Sequence, residues 1–244
     1  MKRIYIVASI ILIFGATYAI EYYANSQFST QELVVPGISG YEIGVAQTFD
    51  YFKDEEKVGT YTYTVDEYGD NFIMTSITDV TYGGRDLELE SVYTFDDSYS
   101  PESYALTVIS DGGVTEISTT LSNGNITTSV TSEGVTVDIP GEYVDGMFLI
   151  ENGMPGFWEV LFNSVELERG VKYTAIVYIP QGAMAFDVNL VVGKQDQLIW
   201  VGDERLACTV INEANLELSF YIYEGELVEM RSESQGTALQ KILD

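Results

Sequence analysis

Apolar positions along the chain fall into two regimes. Ile4 to Ile20 is one continuous apolar run, preceded by Lys2 and Arg3 and closed by Glu21, Tyr22 and Tyr23. After residue 41 the apolar residues instead come in short runs rich in Tyr, Val, Ile, Thr and Phe, separated by turn residues. The first regime predicts a single N-terminal membrane helix, because its 17 residues cover about 26 Å at ~1.5 Å each, the short end of a span. No Lys or Arg follows until Lys53, so positive charge stays on the cytoplasmic side and the rest is expected outside. Tyr5, Tyr18, Tyr22 and Tyr23 suit an aromatic belt at headgroup level. Two readings stay open: an uncleaved anchor, or a signal peptide with a mediocre exit at Thr17-Tyr18-Ala19. The expected division is anchor or signal 1–23, linker 24–41 and an extracytoplasmic β domain 42–244.

Strands are predicted at Thr60–Val65, Phe72–Val80, Leu87–Phe95, Tyr104–Ile109, Val114–Leu121, Ile126–Val130 and Val135–Ile139. Between them lie Gly83-Gly84, Asp111-Gly112-Gly113, Asn123-Gly124 and Glu133-Gly134, which supply the positive φ of tight hairpins and predict antiparallel neighbours. Leu87, Leu89, Tyr93 and Phe95 fall on one face, with Glu88, Glu90 and Asp96 on the other. Further strands are predicted at Val171–Ile179, Ala183–Val192, Gln197–Val201, Leu206–Ile211, Leu216–Tyr223 and Leu227–Arg231. Several of these are apolar on both faces and so need cover on both. The expected cover is the one non-β segment, Val144 to Ser164, broken at Met154-Pro155-Gly156 and helical in spacing from Phe157 to Asn163. Its Met147, Phe148, Met154, Phe157, Trp158, Leu161 and Phe162 read either as a plug completing the core or as a movable lid over an apolar ligand site.

Composition narrows the chemistry. Apolar residues make up 46% of the chain, ample for a core. The formal charge of −27 leaves no basic stripe to neutralise phosphates, which excludes nucleic acid as a partner. There is no histidine, so Ser-His-Asp and Cys-His catalysis and His-based metal sites are ruled out. Cys208 is the one cysteine; no internal disulfide is possible, and Leu206–Val210 reads as a buried strand around a small hydrophobe. The acid pairs at Asp54-Glu55-Glu56, Asp66-Glu67, Asp96-Asp97 and Asp203-Glu204 sit at turns, where solvation is the default. Asp66 to Asn71 lacks the D-x-[DN]-x-[DN]-G pattern of a calcium loop. No catalytic residue, metal ligand or cofactor is expected. Asn125-Ile126-Thr127 matches a glycosylation acceptor.

Gly84 before a strand ending Tyr93-Thr94-Phe95-Asp96-Asp97 and then Pro101, Tyr143-Val144-Asp145-Gly146, Glu168-Arg169-Gly170, Trp200-Val201-Gly202 and Glu224-Gly225-Glu226-Leu227 form a series that resembles the bacterial DUF3108 family and, more loosely, the LolA/LolB-like half-barrels. The resemblance spans about residues 57–232. It implies a strongly curved antiparallel sheet with a short helical insertion on its concave face, and in the LolA/LolB-like group that hollow binds lipid acyl chains. The expectation is a non-enzymatic β domain, tethered to the membrane by its N-terminal helix, that binds a lipid-like or apolar group under the Met147–Phe162 cover. The alternative is a structural or accessory subunit of a membrane complex or cell-surface assembly, and a third reading is a carboxylate glycosidase.

Overall fold

Hairpin after hairpin closes on the turn residues seen in the sequence. The computed structural model describes residues 28–38, 42–122 and 124–243; the expected anchor and residues 24–27 and 39–41 of the expected linker lie outside them. Among the described residues no helix is long and apolar enough to cross a membrane. Strands β1 (Ser29–Glu32), β2 (Gln47–Lys53), β3 (Glu56–Tyr68), β4 (Asn71–Tyr82), β5 (Arg85–Phe95), β6 (Pro101–Ser110), β7 (Gly113–Ser122), β8 (Asn125–Ser132) and β9 (Val135–Glu142) make up the first half. The second half holds β10 (Phe148–Leu149), helix α1 (Pro155–Asn163), β11 (Val171–Ile179), β12 (Met184–Val192), β13 (Gln197–Val201), β14 (Glu204–Glu213), β15 (Leu218–Tyr223), β16 (Glu226–Ser232) and β17 (Thr237–Lys241). From β2 to β9 every strand pairs antiparallel with the next. Gly83 and Gly84 both have positive φ, as do Glu133 and Gly134, the signature of two-residue turns whose twist matches the flanking strands.

A second meander ends at β17, which pairs antiparallel with β2 and joins the two halves into one large open sheet. The sheet does not close into a barrel: β9 lies at one end, and β1 and β10 lie at the other, both parallel to β11. The expected linker is therefore partly structural. Ser29 to Glu32 run beside Val171 to Thr174, Leu33 N–H donates to Thr174 O at 2.9 Å, and Leu33 and Val35 are buried. Ser-Thr-Gln-Glu carries no apolar alternation, and all four residues are exposed. Backbone pairing to β11 and the buried Leu33 and Val35 that follow place this strand, whose own four residues carry no signal for it.

Helix α1 sits on one face of the sheet. Phe157 stacks on Tyr93 of β5 at 5.2 Å, and Trp158 meets Phe220 of β15 in a tilted contact at 4.9 Å. Strands β15 through β6 are eight successive neighbours by way of β17 and β2, so a flat sheet would spread them over about 34 Å at ~4.8 Å per gap. A helix with its side chains is only about 10–12 Å across. The sheet therefore curls, with an inner face toward α1 and an outer face away from it. Tyr61, Tyr63 and Val65 of β3, Met74 of β4, Tyr93 and Phe95 of β5 and Tyr104 and Leu106 of β6 all point inward and are buried.

The doubly apolar strands of the second half are covered on the outside by a different element from the one expected. The β13–β14 hairpin folds over the outer face, where Val201, Leu206, Cys208 and Val210 form a separate cluster with Tyr221 and Val228. Gln240 Nε2 of β17 donates to Trp200 O at 3.3 Å. Helix α1 covers only the inner face; the hairpin supplies the second layer. Leu198 and Trp200, on the hairpin's far side, are exposed.

Candidate functional site

Side chains of the segment from Met147 to Ser164 reach across the inner face, from Phe220 of β15 to Tyr63 of β3, Tyr93 of β5 and Tyr104 of β6. Pro155 opens α1 at its first turn, where a missing N–H costs nothing and the fixed φ suits a helix. The preceding Met154 is extended, φ −110° and ψ 125°, as a residue before proline must be. Gly156 lies flat on the sheet: a Cβ there would stand 2.5 Å from Tyr61 Oη and 2.9 Å from Tyr63 Cγ. Pro155 thus marks the expected break, where the helix begins, and the close approach of helix to strand accounts for Gly156.

All seven candidate ligand-binding residues come together here. Met147, Phe157, Trp158 and Leu161 are 0% exposed, Phe148 4%, and Met154 and Phe162 6%. Six of them belong to the main core, whereas Met147 packs with Ile126 and Tyr178 in a small satellite cluster. Burying each such side chain is worth about 1.5–3 kcal/mol, so exposing all seven would cost on the order of 10–20 kcal/mol, as much as the whole stability of a typical domain. Surface clefts of about 330–580 Å³ are lined by other residues, and none of the seven faces them. In this structure the six of the main core pack as interior side chains.

Two buried carboxylates pin the segment at its two ends. Glu151 is 1% exposed; Ser91 Oγ donates to its Oε2 at 2.8 Å, and Ser91 pairs with Ser76 at 2.7 Å. Burial pushes the Glu151 carboxyl up to about 7, while hydrogen bonds from the Ser91 and Tyr104 hydroxyls pull it down. Gln181 Nε2 in turn reaches Tyr104 Oη at 3.3 Å. Glu159, on α1 itself, accepts from Tyr63 Oη at 2.6 Å and from Lys241 Nζ at 2.9 Å. Burial raises its carboxyl too, opposed chiefly by the Lys241 ammonium. Tyr99 Oη donates to Phe157 O at 2.8 Å, and Trp158 Nε1 is buried with no hydrogen-bond partner among the described residues.

Sequence reading missed both glutamates because it weighed acids in runs. The signal was there: Glu151 follows Met-Phe-Leu-Ile and Glu159 stands between Trp158 and Val160, and an acid inside an apolar run must be buried with partners. The acidic runs play other parts. Asp96 Oδ1 accepts from Ser98 N, Ser98 Oγ and Ser100 N at 2.8–2.9 Å, which fixes the β5–β6 turn. Asp54 and Glu55 form the β2–β3 turn with φ of 50° and 68°. No group of three or more Cys, Asp or Glu among the described residues is placed to hold a metal ion. Cys208 is fully buried and its thiol is pushed up to about 11 by burial. Asn125 opens β8 and is exposed.

No protein-family model matches the chain, and no curated protein matches it. Two solved structures align with the chain at low similarity. A DUF1089 family protein from Pseudomonas aeruginosa is 9% identical, with a TM-score of 0.41 over 69% of this chain and 87% of that one. A putative exported protein with a YmcC-like fold from Bacteroides fragilis is 11% identical, with a TM-score of 0.21 over 88% of this chain and 96% of that one.

Proposed function

We propose that the chain is a non-enzymatic, extracytoplasmic β domain, tethered by its N-terminal apolar run, that serves as an accessory subunit of a membrane complex or cell-surface assembly. The observation that carries this reading is the filled inner face. The space an apolar ligand would occupy already holds Phe157, Trp158 and Leu161, each 0% exposed, pinned by Glu151 and Glu159. The sheet curled on its own helix is a half-barrel in this reading, and what it leaves available is its open end. The test is isolation of the affinity-tagged full chain from its native membranes in mild detergent. A stoichiometric partner or a polymer supports the assignment; a free monomer from cells in which the chain is exposed to added protease counts against it.

A second reading keeps the segment as a cover that yields to a lipid-like or apolar group. Its support is Trp158, whose buried indole N–H lacks an acceptor and would gain from a rearranged or ligand-bound state. Native mass spectrometry of the full chain distinguishes the two. A co-purifying lipid favours the cover; a bare mass, with no displacement of a bound apolar dye, ends it.

A further inference from the structure

We infer that the free edge of β9 is a docking site for an extended, cationic segment of a partner protein, which adds to the sheet as a further strand. The inference rests on the accessory-subunit reading and supplies its surface. Among the described residues β9 is the terminal strand of the sheet and is paired on one side only, to β8. Ser132 and Val135 close the two-residue Glu133-Gly134 turn. In such a hairpin the closing pair is hydrogen-bonded and the pattern alternates from there. The backbone groups of Val135, Val137 and Ile139 therefore bond inward to β8, and those of Thr136 and Asp138 point out of the sheet. Pro140 takes the next outward position without an N–H, so the usable edge runs from Val135 to Ile139. That is long enough for a four- to five-residue strand addition.

Side chains on this edge define the partner. Val135, Val137 and Ile139 share the inner face and are 65%, 56% and 38% exposed. Ile117, Val130 and Val137 lie in register across β7, β8 and β9, so the apolar strip of the inner face runs out to the edge and stops uncovered. An edge this apolar is usually blunted; here only Asp138 and Pro140 do so. On the outer face Asp138 is exposed and accepts from Ser129 Oγ, and Glu116, Thr131 and Thr136 stand in one row. The surrounding charge has one sign. Residues 86–168 contain 16 Asp and Glu and no Lys or Arg, so every strand from β6 to β9 lacks a cation. A second copy of the chain would bring Asp138 and Glu133 against their own kind, and each copy carries −27. An incoming strand that alternates apolar residues with Lys or Arg would put the first against Val135 and Val137 and the second beside Asp138.

The experiment uses the full chain in detergent micelles and a fluorescent peptide of alternating Lys and Val, with the matching Glu–Val peptide as its counterpart. The Lys–Val peptide is expected to bind at least tenfold more tightly than the Glu–Val peptide and to slow amide exchange at Thr136 and Asp138. Thr136→Pro, which removes an outward N–H, abolishes the binding. Asp138→Lys, an exposed change that leaves the fold intact, weakens it by at least tenfold. Equal binding of both peptides, insensitivity to both variants, protection confined to another strand, or a β9-paired dimer in sedimentation each overturns the assignment. If the peptide fails while tagged chain still brings a stoichiometric partner from native membranes, only the edge is wrong. If the peptide binds as described and no partner is found, the edge stands and the accessory-subunit reading falls.

Discussion

Replacing Glu151 with Gln tests the plug where its energetics are most exposed. The native carboxyl titrates near 7 because it is fully buried, against an ordinary value of 4.5. Between those two pH values the folded state holds a proton that the unfolded state has released. Stability from this group is thus complete below about pH 4.5 and is lost as pH rises through 7. A separation of about 2.5 units at ~1.4 kcal/mol each amounts to about 3 kcal/mol. Glutamine keeps the shape, keeps an oxygen for Ser91 Oγ and cannot ionise. Urea unfolding of wild type and Glu151→Gln at pH 5, 6, 7, 8 and 9 isolates the group, because every other titration is common to both. The two should agree within about 1 kcal/mol at pH 5, and the variant should be the more stable by about 3 kcal/mol at pH 9. For a domain of this size that is a midpoint difference of roughly 6–12 °C. Curves that stay parallel across the range would mean that Glu151 is ionised and solvated throughout, and the account of a dry anchor under the segment would be wrong.

Lys241→Met leaves the Glu159 carboxylate buried without its cation and should cost about 3–5 kcal/mol at pH 8, with the loss shrinking at pH 5 as the carboxyl protonates; denaturant titration at both pH values reads it. Gly156→Ala drives a methyl into the Tyr61 and Tyr63 rings and should destabilise by about 1–3 kcal/mol despite better helix propensity; relief of the loss by Tyr61→Phe in the same background would locate the clash. Glu55→Gly removes a left-handed non-glycine residue from the β2–β3 turn and should stabilise by about 0.5–1 kcal/mol, measured by thermal unfolding. Cys208 should resist a thiol-specific dye at pH 8 in the folded protein and react within minutes in denaturant; prompt native labelling would refute its burial.

The hairpins were legible because their turns are chemically explicit. The strand predicted at Val171–Ile179 matches β11, and Gln197–Val201 matches β13, residue for residue. The helix was legible from Phe157 to Asn163 by its 3.6-residue spacing; it begins two residues earlier, at Pro155, part of the expected break before it. What escaped was placed by distant partners rather than by local pattern. β1 is a polar tetrapeptide held by backbone bonds to β11, and β10 is two residues long. β2 and β17 are short and neighbour each other only through tertiary pairing. The candidate site was legible as a cluster, since one greasy segment had to lie on one sheet. Whether it filled or roofed a hollow depended on how Phe157 and Trp158 meet rings from β5, β6 and β15, and no local window contains those strands.

The pairing of β17 with β2 also sets a timetable. Thr237 lies beside Lys53 and Lys241 beside Phe49, so the two halves can be stitched together only when β17 has been synthesised, long after β2. A nascent chain can zip its early hairpins as they emerge, but Phe49, Tyr61 and Tyr63 stay wet until α1 arrives, and the β2 margin stays bare until β17 docks. Such late, long-range closure makes for slow maturation and a sticky interval before it. Loss of β17 would prolong that interval indefinitely, and a product stalled or clipped before Thr237 should partition to chaperones or inclusion bodies rather than persist as a slightly weakened native protein.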